Sequence, residues 1–152
     1  HEYLFRRNTN LKLVLLGGGD ITIPRALKEH VIDLGFVPIQ DKYDAYAAAE
    51  LLCQPSKHES FSYVIMESWL CERPVLVHKD CNGTQNFAVS SNGGLYFEDY
   101  FEFEGAVDYI IEHPAEARTM ALQGKKYVKE NFAWDVMIEK YKKYFSELCV
   151  AE

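Results

Sequence analysis

No apolar run in this 152-residue chain approaches the roughly 18 residues that a membrane-spanning helix requires. The first residues do not read as a signal peptide either, so the expected location is the cytoplasm. Cysteine is scarce, and none of Cys53, Cys71, Cys81 and Cys149 stands in a C-x-x-C pair, which argues against a zinc site. Cys53 and Cys71 lie inside apolar runs and read as small core residues, as a reducing compartment would allow. Asn82-Gly83-Thr84 matches a glycosylation acceptor, but nothing else points to secretion. Positive charge is the scarcer sign, with 16 Lys and Arg against 23 Asp and Glu and a formal charge of −7. That balance argues against a nucleic-acid groove or an anionic membrane surface as the main partner. The basic pairs Arg6-Arg7, Lys125-Lys126 and Lys142-Lys143 read as solvated helix faces. There are no repeats and no low-complexity stretch.

What is present is globular: 48% hydrophobic and 26% charged residues, at a length suited to one domain. His1 to Arg7 (HEYLFRR) reads as the end of a helix, followed by the turn residues Asn8-Thr9-Asn10. Such an opening suggests the cut edge of a larger protein. Strand and helix patterns then alternate. Short β-rich runs are expected at Leu11–Leu16, Ile32–Val37, Glu50–Gln54, Pro74–His78 and Leu95–Phe97. Helices are expected at Asp41–Ala49, with Asp41 as cap, and at Ser62–Glu72. Three more close the chain, at about Phe103–His113, Ala115–Asn131 and Trp134–Leu148, with Pro114 and Phe132-Ala133 as breaks. Short, wholly apolar strands alternating with helices predict an α/β, Rossmann-like parallel sheet covered by helices on both faces.

In such sheets ligands bind beyond the carboxyl ends of the strands. Three loops qualify: Gly17–Asp20, Pro55–Ser60 and Lys79–Gly94. The middle loop is the informative one. It carries Glu59, and a second glutamate, Glu67, follows after seven intervening residues. With a helix starting near Ser60 to Ser62, Glu67 falls about two turns in, on nearly the same face. Between the carboxylates would lie a helix N-terminus, whose free N–H groups and positive dipole end suit phosphate. Two glutamates eight apart are common by chance in so acidic a chain. Glu67, however, interrupts an apolar helical stretch (Val64, Ile65, Met66, then Trp69 and Leu70), where an unpaired carboxylate is costly unless it faces a ligand.

Pro55-Ser56, Glu59, seven residues, Glu67, then Arg73-Pro74-Val75 resembles the signature of the family 4 glycosyltransferases, group 1 type, whose C-terminal domain carries an E-x7-E motif. The likeness runs from about residue 11 to 145. Leu13–Gly19 is similar to that family's strand and Gly-rich turn, and Leu34-Gly35-Phe36-Val37 to its next strand. Asn92–Phe97 is similar to its late Gly-rich turn, and Phe132-Ala133-Trp134 to the opening of its last helix.

The resemblance implies that residues 1–152 are the C-terminal, nucleotide-sugar-binding half of a GT-B fold, with the acceptor-binding domain absent. It implies that Glu59 binds donor-sugar hydroxyls nearest the chemistry and that Glu67 binds the ribose diol. Backbone N–H groups of Ser60, Phe61 and Ser62 would meet the sugar and the distal phosphate. Val37 and Pro38 would edge the base, and Gly17 and Gly18 would let the backbone approach the nucleotide. Where the family often has a glycine pair followed by a glutamate near the sugar, this chain has Asn82-Gly83-Thr84-Gln85-Asn86, so Gly83 and Thr84 are further substrate-binding candidates. His58 reads better as a loop residue than as an acid or base. The family's diphosphate-clamping arginine and lysine would precede His1.

The implied chemistry is retaining transfer of a sugar from a nucleotide diphosphate sugar to a glycan or lipid-linked acceptor, as in polysaccharide biosynthesis. It needs no metal or other cofactor, in keeping with the lack of an Asp-x-Asp motif. The partners implied are the donor and the missing N-terminal domain. Any peripheral membrane association would run through that missing half, and the fragment alone is expected to be inactive. The alternatives are another GT-B enzyme, such as a nucleotide-sugar epimerase, and a non-catalytic nucleotide-binding α/β module. A receiver-like module would place an aspartate after the third strand, where this chain has Gln54-Pro55.

Overall fold

The structure is a computed structural model that describes residues 1–7 and 9–149; Asn8 of the expected turn lies outside them. It resolves into two compact units, His1–Ala45 and Tyr46–Glu152.

The first unit contains α1 (Glu2–Arg7), β1 (Leu13–Leu15), a short 3-10 turn (Arg25–Leu27) and β2 (Val31–Asp33). The strands pair in parallel, Val14 opposite Ile32. Both are shorter than their apolar runs suggested; the run at 32–37 is broken by Gly35 in a left-handed conformation (φ 59°). The side chains of β1 and β2 are only partly covered: Leu13 is 50% exposed and Val14 43%, and none of the unit's described residues is buried. The next helix, α2, runs from Ile39 to Ala48, so Asp41 lies inside its first turn instead of capping it.

The second unit has the order β3 (Leu52–Gln54), α3 (Tyr63–Leu70), β4 (Val75–His78), α4 (Asn82–Ser91), β5 (Gly94–Phe97), α5 (Tyr100–Glu112), α6 (Pro114–Phe132) and α7 (Trp134–Cys149). Its three strands are parallel, with β4 in the middle. Each crossover is a helix, as parallel pairing demands. β4 reads VLVH and is buried at all four positions, as a strand covered on both faces should be. The core joins Ile65, Met66 and Trp69 of α3 to Val75 and Val77 of β4, Ala88 of α4 and Val128 of α6. Trp69 is fully buried, and its indole N–H donates to the Gly93 carbonyl at 2.8 Å. α5 begins at an aspartate cap, the Asp99 carboxylate accepting from the Glu102 N–H at 2.9 Å. Pro114 occupies the first turn of α6, where its missing N–H costs nothing.

α4 is the main departure from expectation, since 79–94 was read as a loop. NGTQNFAVSS has no run of strong helix formers, and its helicity comes from packing, with Thr84, Ala88 and Ser91 buried. α3 is shorter than expected at both ends. Glu72 is left-handed (φ 59°), and the Arg73 N–H turns back to the Ser68 carbonyl at 3.0 Å, closing the last turn. The arrangement is α/β and Rossmann-like, as expected.

Candidate functional site

The loop from β3 to α3 is shaped by its own residues. Pro55 stops the strand, and Gln54, its last residue, donates from its amide to Glu59 Oε1 at 3.2 Å. The Ser56 hydroxyl donates to the His58 carbonyl at 3.1 Å and accepts from the His58 N–H at 3.3 Å, a side-chain turn that folds the loop on itself. Lys57 reaches across to the β4–α4 turn and meets Asp80 at 3.0 Å. Both partners are about half exposed, so the pair contributes little to stability. The Lys57 hydrogen bond nevertheless holds the Asp80 carboxyl below the usual range. Asp80 in turn donates its backbone N–H to Nδ1 of buried His78, the last residue of β4, at 3.1 Å. Burial pushes the Cys81 thiol up, but hydrogen bonds from Thr84, Glu59 and Gly83 outweigh it and hold the thiol below its ordinary value.

Phe61 anchors the far end of the loop. Its ring packs edge-on against Phe87 (5.3 Å between centroids) and Phe132 (5.2 Å), so the loop is fastened to α4 and to the end of α6. The helix then starts at Tyr63, later than expected. Ser62 occupies the cap position but makes no capping bond, because its backbone is left-handed (φ 59°, ψ 72°). Glu67 is the fifth residue of α3 and lies about one turn from its start, not two. It is half-buried, and its Oε2 accepts from the hydroxyl of Tyr46 at 3.2 Å.

The structure therefore brings Glu59, Ser60, Phe61, Ser62 and Glu67 together around the N-terminus of α3, where the Ile65 N–H already donates to the Ser62 carbonyl at 3.1 Å and the N–H groups ahead of it have no carbonyl one turn back. Gly83 joins them: a Cβ there would lie 3.4 Å from the Glu59 carbonyl oxygen and 3.6 Å from that of Ser60. Thr84 is different. It is fully buried and its hydroxyl donates to the Cys81 carbonyl at 3.3 Å, so its side chain serves the α4 start and only its backbone remains for a ligand. Gly17, Gly18, Val37 and Pro38 belong to the first unit. There the Gly17 N–H donates to Gly35 O at 2.9 Å, and the Phe36 ring lies over Gly18, where a Cβ would come within 2.4 Å of it. Sequence reasoning missed Tyr46, Gln54 and Asp80 as supports of the site. Only Gln54 left a signal, as the strand residue next to Pro55.

Two carboxylates with a helix dipole between them make a site for a ligand carrying both hydroxyls and negative charge. Among the described residues no group of His, Cys, Asp and Glu is arranged to hold a metal ion. No helix among them is long and apolar enough to cross a membrane.

A family model described as glycosyl transferases group 1 matches residues 3–113. The D-inositol 3-phosphate glycosyltransferase of Rhodococcus erythropolis is 28% identical over 151 residues, which takes in 88% of this chain and 34% of that protein. The alpha-D-kanosaminyltransferase of Streptomyces kanamyceticus is 25% identical over 127 residues, 78% of this chain and 33% of that one. The chain thus spans about a third of the length of these relatives. Among solved structures, sucrose-phosphate synthase from Thermosynechococcus elongatus shares the fold at a TM-score of 0.77 and 24% identity, over 93% of this chain and 39% of that one. Anabaena HepE in complex with UDP and glucose does so at 0.78 and 20%, over 96% and 43%.

Proposed function

This chain belongs to the group 1 glycosyltransferases, and from that premise we propose that it is the donor-binding part of an enzyme transferring a sugar, with retention, from a nucleotide diphosphate sugar. The observation that carries the proposal is the pairing of Glu59 and Glu67 across the N-terminus of α3, each oriented by a hydrogen-bond donor. Glu67 takes the ribose diol and Glu59 the hydroxyls of the donor sugar. The backbone N–H groups at the start of α3 take the diphosphate between them. HepE has been solved with UDP and with UDP-glucose, which favours a uridine nucleotide as the first donor to try. The remaining two-thirds of the relatives' length is the proposed source of the acceptor site.

Charge builds on the diphosphate as the glycosidic bond to it breaks. A helix N-terminus already aimed at that charge stabilises it without reorganisation, and this is the electrostatic share of catalysis that the chain itself supplies. Glu59, facing the sugar, holds the ring in register as its anomeric carbon becomes electron-poor. None of these contacts calls for a cation.

Isothermal titration of UDP and other nucleoside diphosphates in the presence of EDTA tests this. Saturable binding to at least one of them, unchanged by the chelator, is expected. Binding that appears only on adding magnesium or manganese overturns the metal-free reading.

A further inference from the structure

Ser62 is placed at some cost. It stands three residues after Glu59 and five before Glu67, at the entrance to α3. Its φ of 59° lies in the region that glycine enters freely and other residues rarely do. Among the described residues, two other non-glycine positions share that geometry, Glu72 and Asn92. Both close the last turn of a helix, where a left-handed residue is a regular stop signal. Ser62 stands at a helix start, where that explanation does not apply.

Its hydroxyl is equally out of pattern. The residue is only 8% exposed, yet Oγ has no hydrogen-bond partner. The other buried serines are paired: Ser68 Oγ donates to the Arg73 carbonyl at 3.2 Å and Ser91 Oγ to the Phe87 carbonyl at 2.7 Å. Serine is among the best helix caps, but the backbone of Ser62 turns its hydroxyl away from the capping bond. Glycine would remove both the strained φ and the orphaned oxygen. Among the described residues no hydrogen-bond partner repays a serine here.

We infer that the Ser62 hydroxyl is a specificity-determining contact for the distal phosphate of the donor. The inference rests on the nucleotide-diphosphate reading given above and adds a side-chain contact to it. A turn about χ1 brings Oγ out of its buried position to the phosphate held at the N-terminus of α3, where it donates to an anionic oxygen. The bound phosphate then supplies the partner that Oγ lacks, and a hydrogen bond to a charged oxygen is stronger than one between neutral groups. A nucleoside monophosphate has no distal phosphate and gains nothing from it. The hydroxyl therefore discriminates by the number of phosphates.

The test titrates UDP and UMP against the wild-type chain, Ser62→Gly and Ser62→Ala, with Glu67→Ala as control. Both Ser62 variants should lose about tenfold in UDP affinity while UMP affinity stays at the wild-type level. Ser62→Gly should also melt at a higher temperature, so it serves as the folded variant if Ser62→Ala, which keeps the strained φ, is too unstable. Unchanged UDP affinity in both variants overturns the inference, and so does an equal loss for UDP and UMP. If Glu67→Ala loses UDP affinity while the Ser62 variants do not, the nucleotide reading stands and the role of Ser62 fails. If the wild-type chain binds neither UDP nor any other nucleoside diphosphate, the nucleotide reading falls and takes the inference with it.

Discussion

Glu59 accepts from the amide of Gln54 and Glu67 from the hydroxyl of Tyr46. Neutral donors of this kind fix where a carboxylate points. The glutamates were legible in the sequence because Glu67 breaks an apolar helical run and Glu59 follows a strand-ending proline. Tyr46 was not legible: it lies 21 residues from its partner, in an alanine-rich helix where a tyrosine reads as ordinary core. Ser62 was read as the helix entrance but not as a strained one, since a left-handed backbone is announced by glycine or asparagine and not by serine.

Cys53, in the middle of β3, supports a prediction at the same scale. Burial pushes its thiol up to about 11, whereas an unfolded chain titrates near 8.5. Between those values the folded state keeps a proton that the unfolded state has released, so stability falls as pH rises. The contribution is complete below the unfolded value and is lost as pH climbs through the folded one. The urea midpoint should therefore drop more steeply between about pH 8.5 and 10.5 for wild type than for Cys53→Ala. Parallel slopes would show that Cys53 has no part in it.

Among the elements, β4 and the pair formed by α3 and α6 hold the site in place. α6 can approach α3 closely because Gly124 faces Trp69: a Cβ at that position would come within 2.4 Å of the indole Cδ1. The ring has little room to retreat. Its N–H is bonded to the Gly93 carbonyl, and a Cβ on Gly93 would come within 2.6 Å of the indole Cε2. Gly124→Ala gains about 1 kcal/mol of helix propensity and loses about 1–3 kcal/mol to overpacking. The larger loss wins, so thermal or urea denaturation should find the variant less stable than wild type by roughly 1 kcal/mol. A variant as stable as wild type would mean that Trp69 shifts freely.

The strands and long helices of this unit could be read from periodicity because their patterns are strong. α4 could not, since its sequence favours a turn and its helix depends on burying Thr84, Ala88 and Ser91. The ends of α3 moved inward for a related reason: left-handed residues at Ser62 and Glu72 bound it, and neither is a glycine or asparagine that would have announced a stop.

At the scale of the molecule, an excess of seven negative charges sits oddly with an anionic ligand. On the proposed function, binding of a diphosphate would depend on the local field of the α3 N-terminus and its N–H groups, not on net charge. α7 adds a second global feature. Trp134 is 81% exposed, and Tyr141, Tyr144 and Phe145 each 58%. Trp134, Tyr141 and Phe145 recur at helical spacing in the sequence, which marks one face of this helix as apolar.

The central claim is that Glu67 holds the nucleotide and Glu59 the sugar. It is tested by titrating the tightest-binding nucleoside diphosphate, and then its glucose conjugate, into wild type, Glu67→Ala and Glu59→Ala. Loss of a charge-assisted hydrogen bond is worth about 1.5–3 kcal/mol, so Glu67→Ala should bind the nucleotide roughly ten- to a hundredfold more weakly. Glu59→Ala should bind it as wild type does and lose only the additional affinity conferred by the sugar. Equal effects of the two substitutions on the nucleotide alone would contradict the division of roles between them.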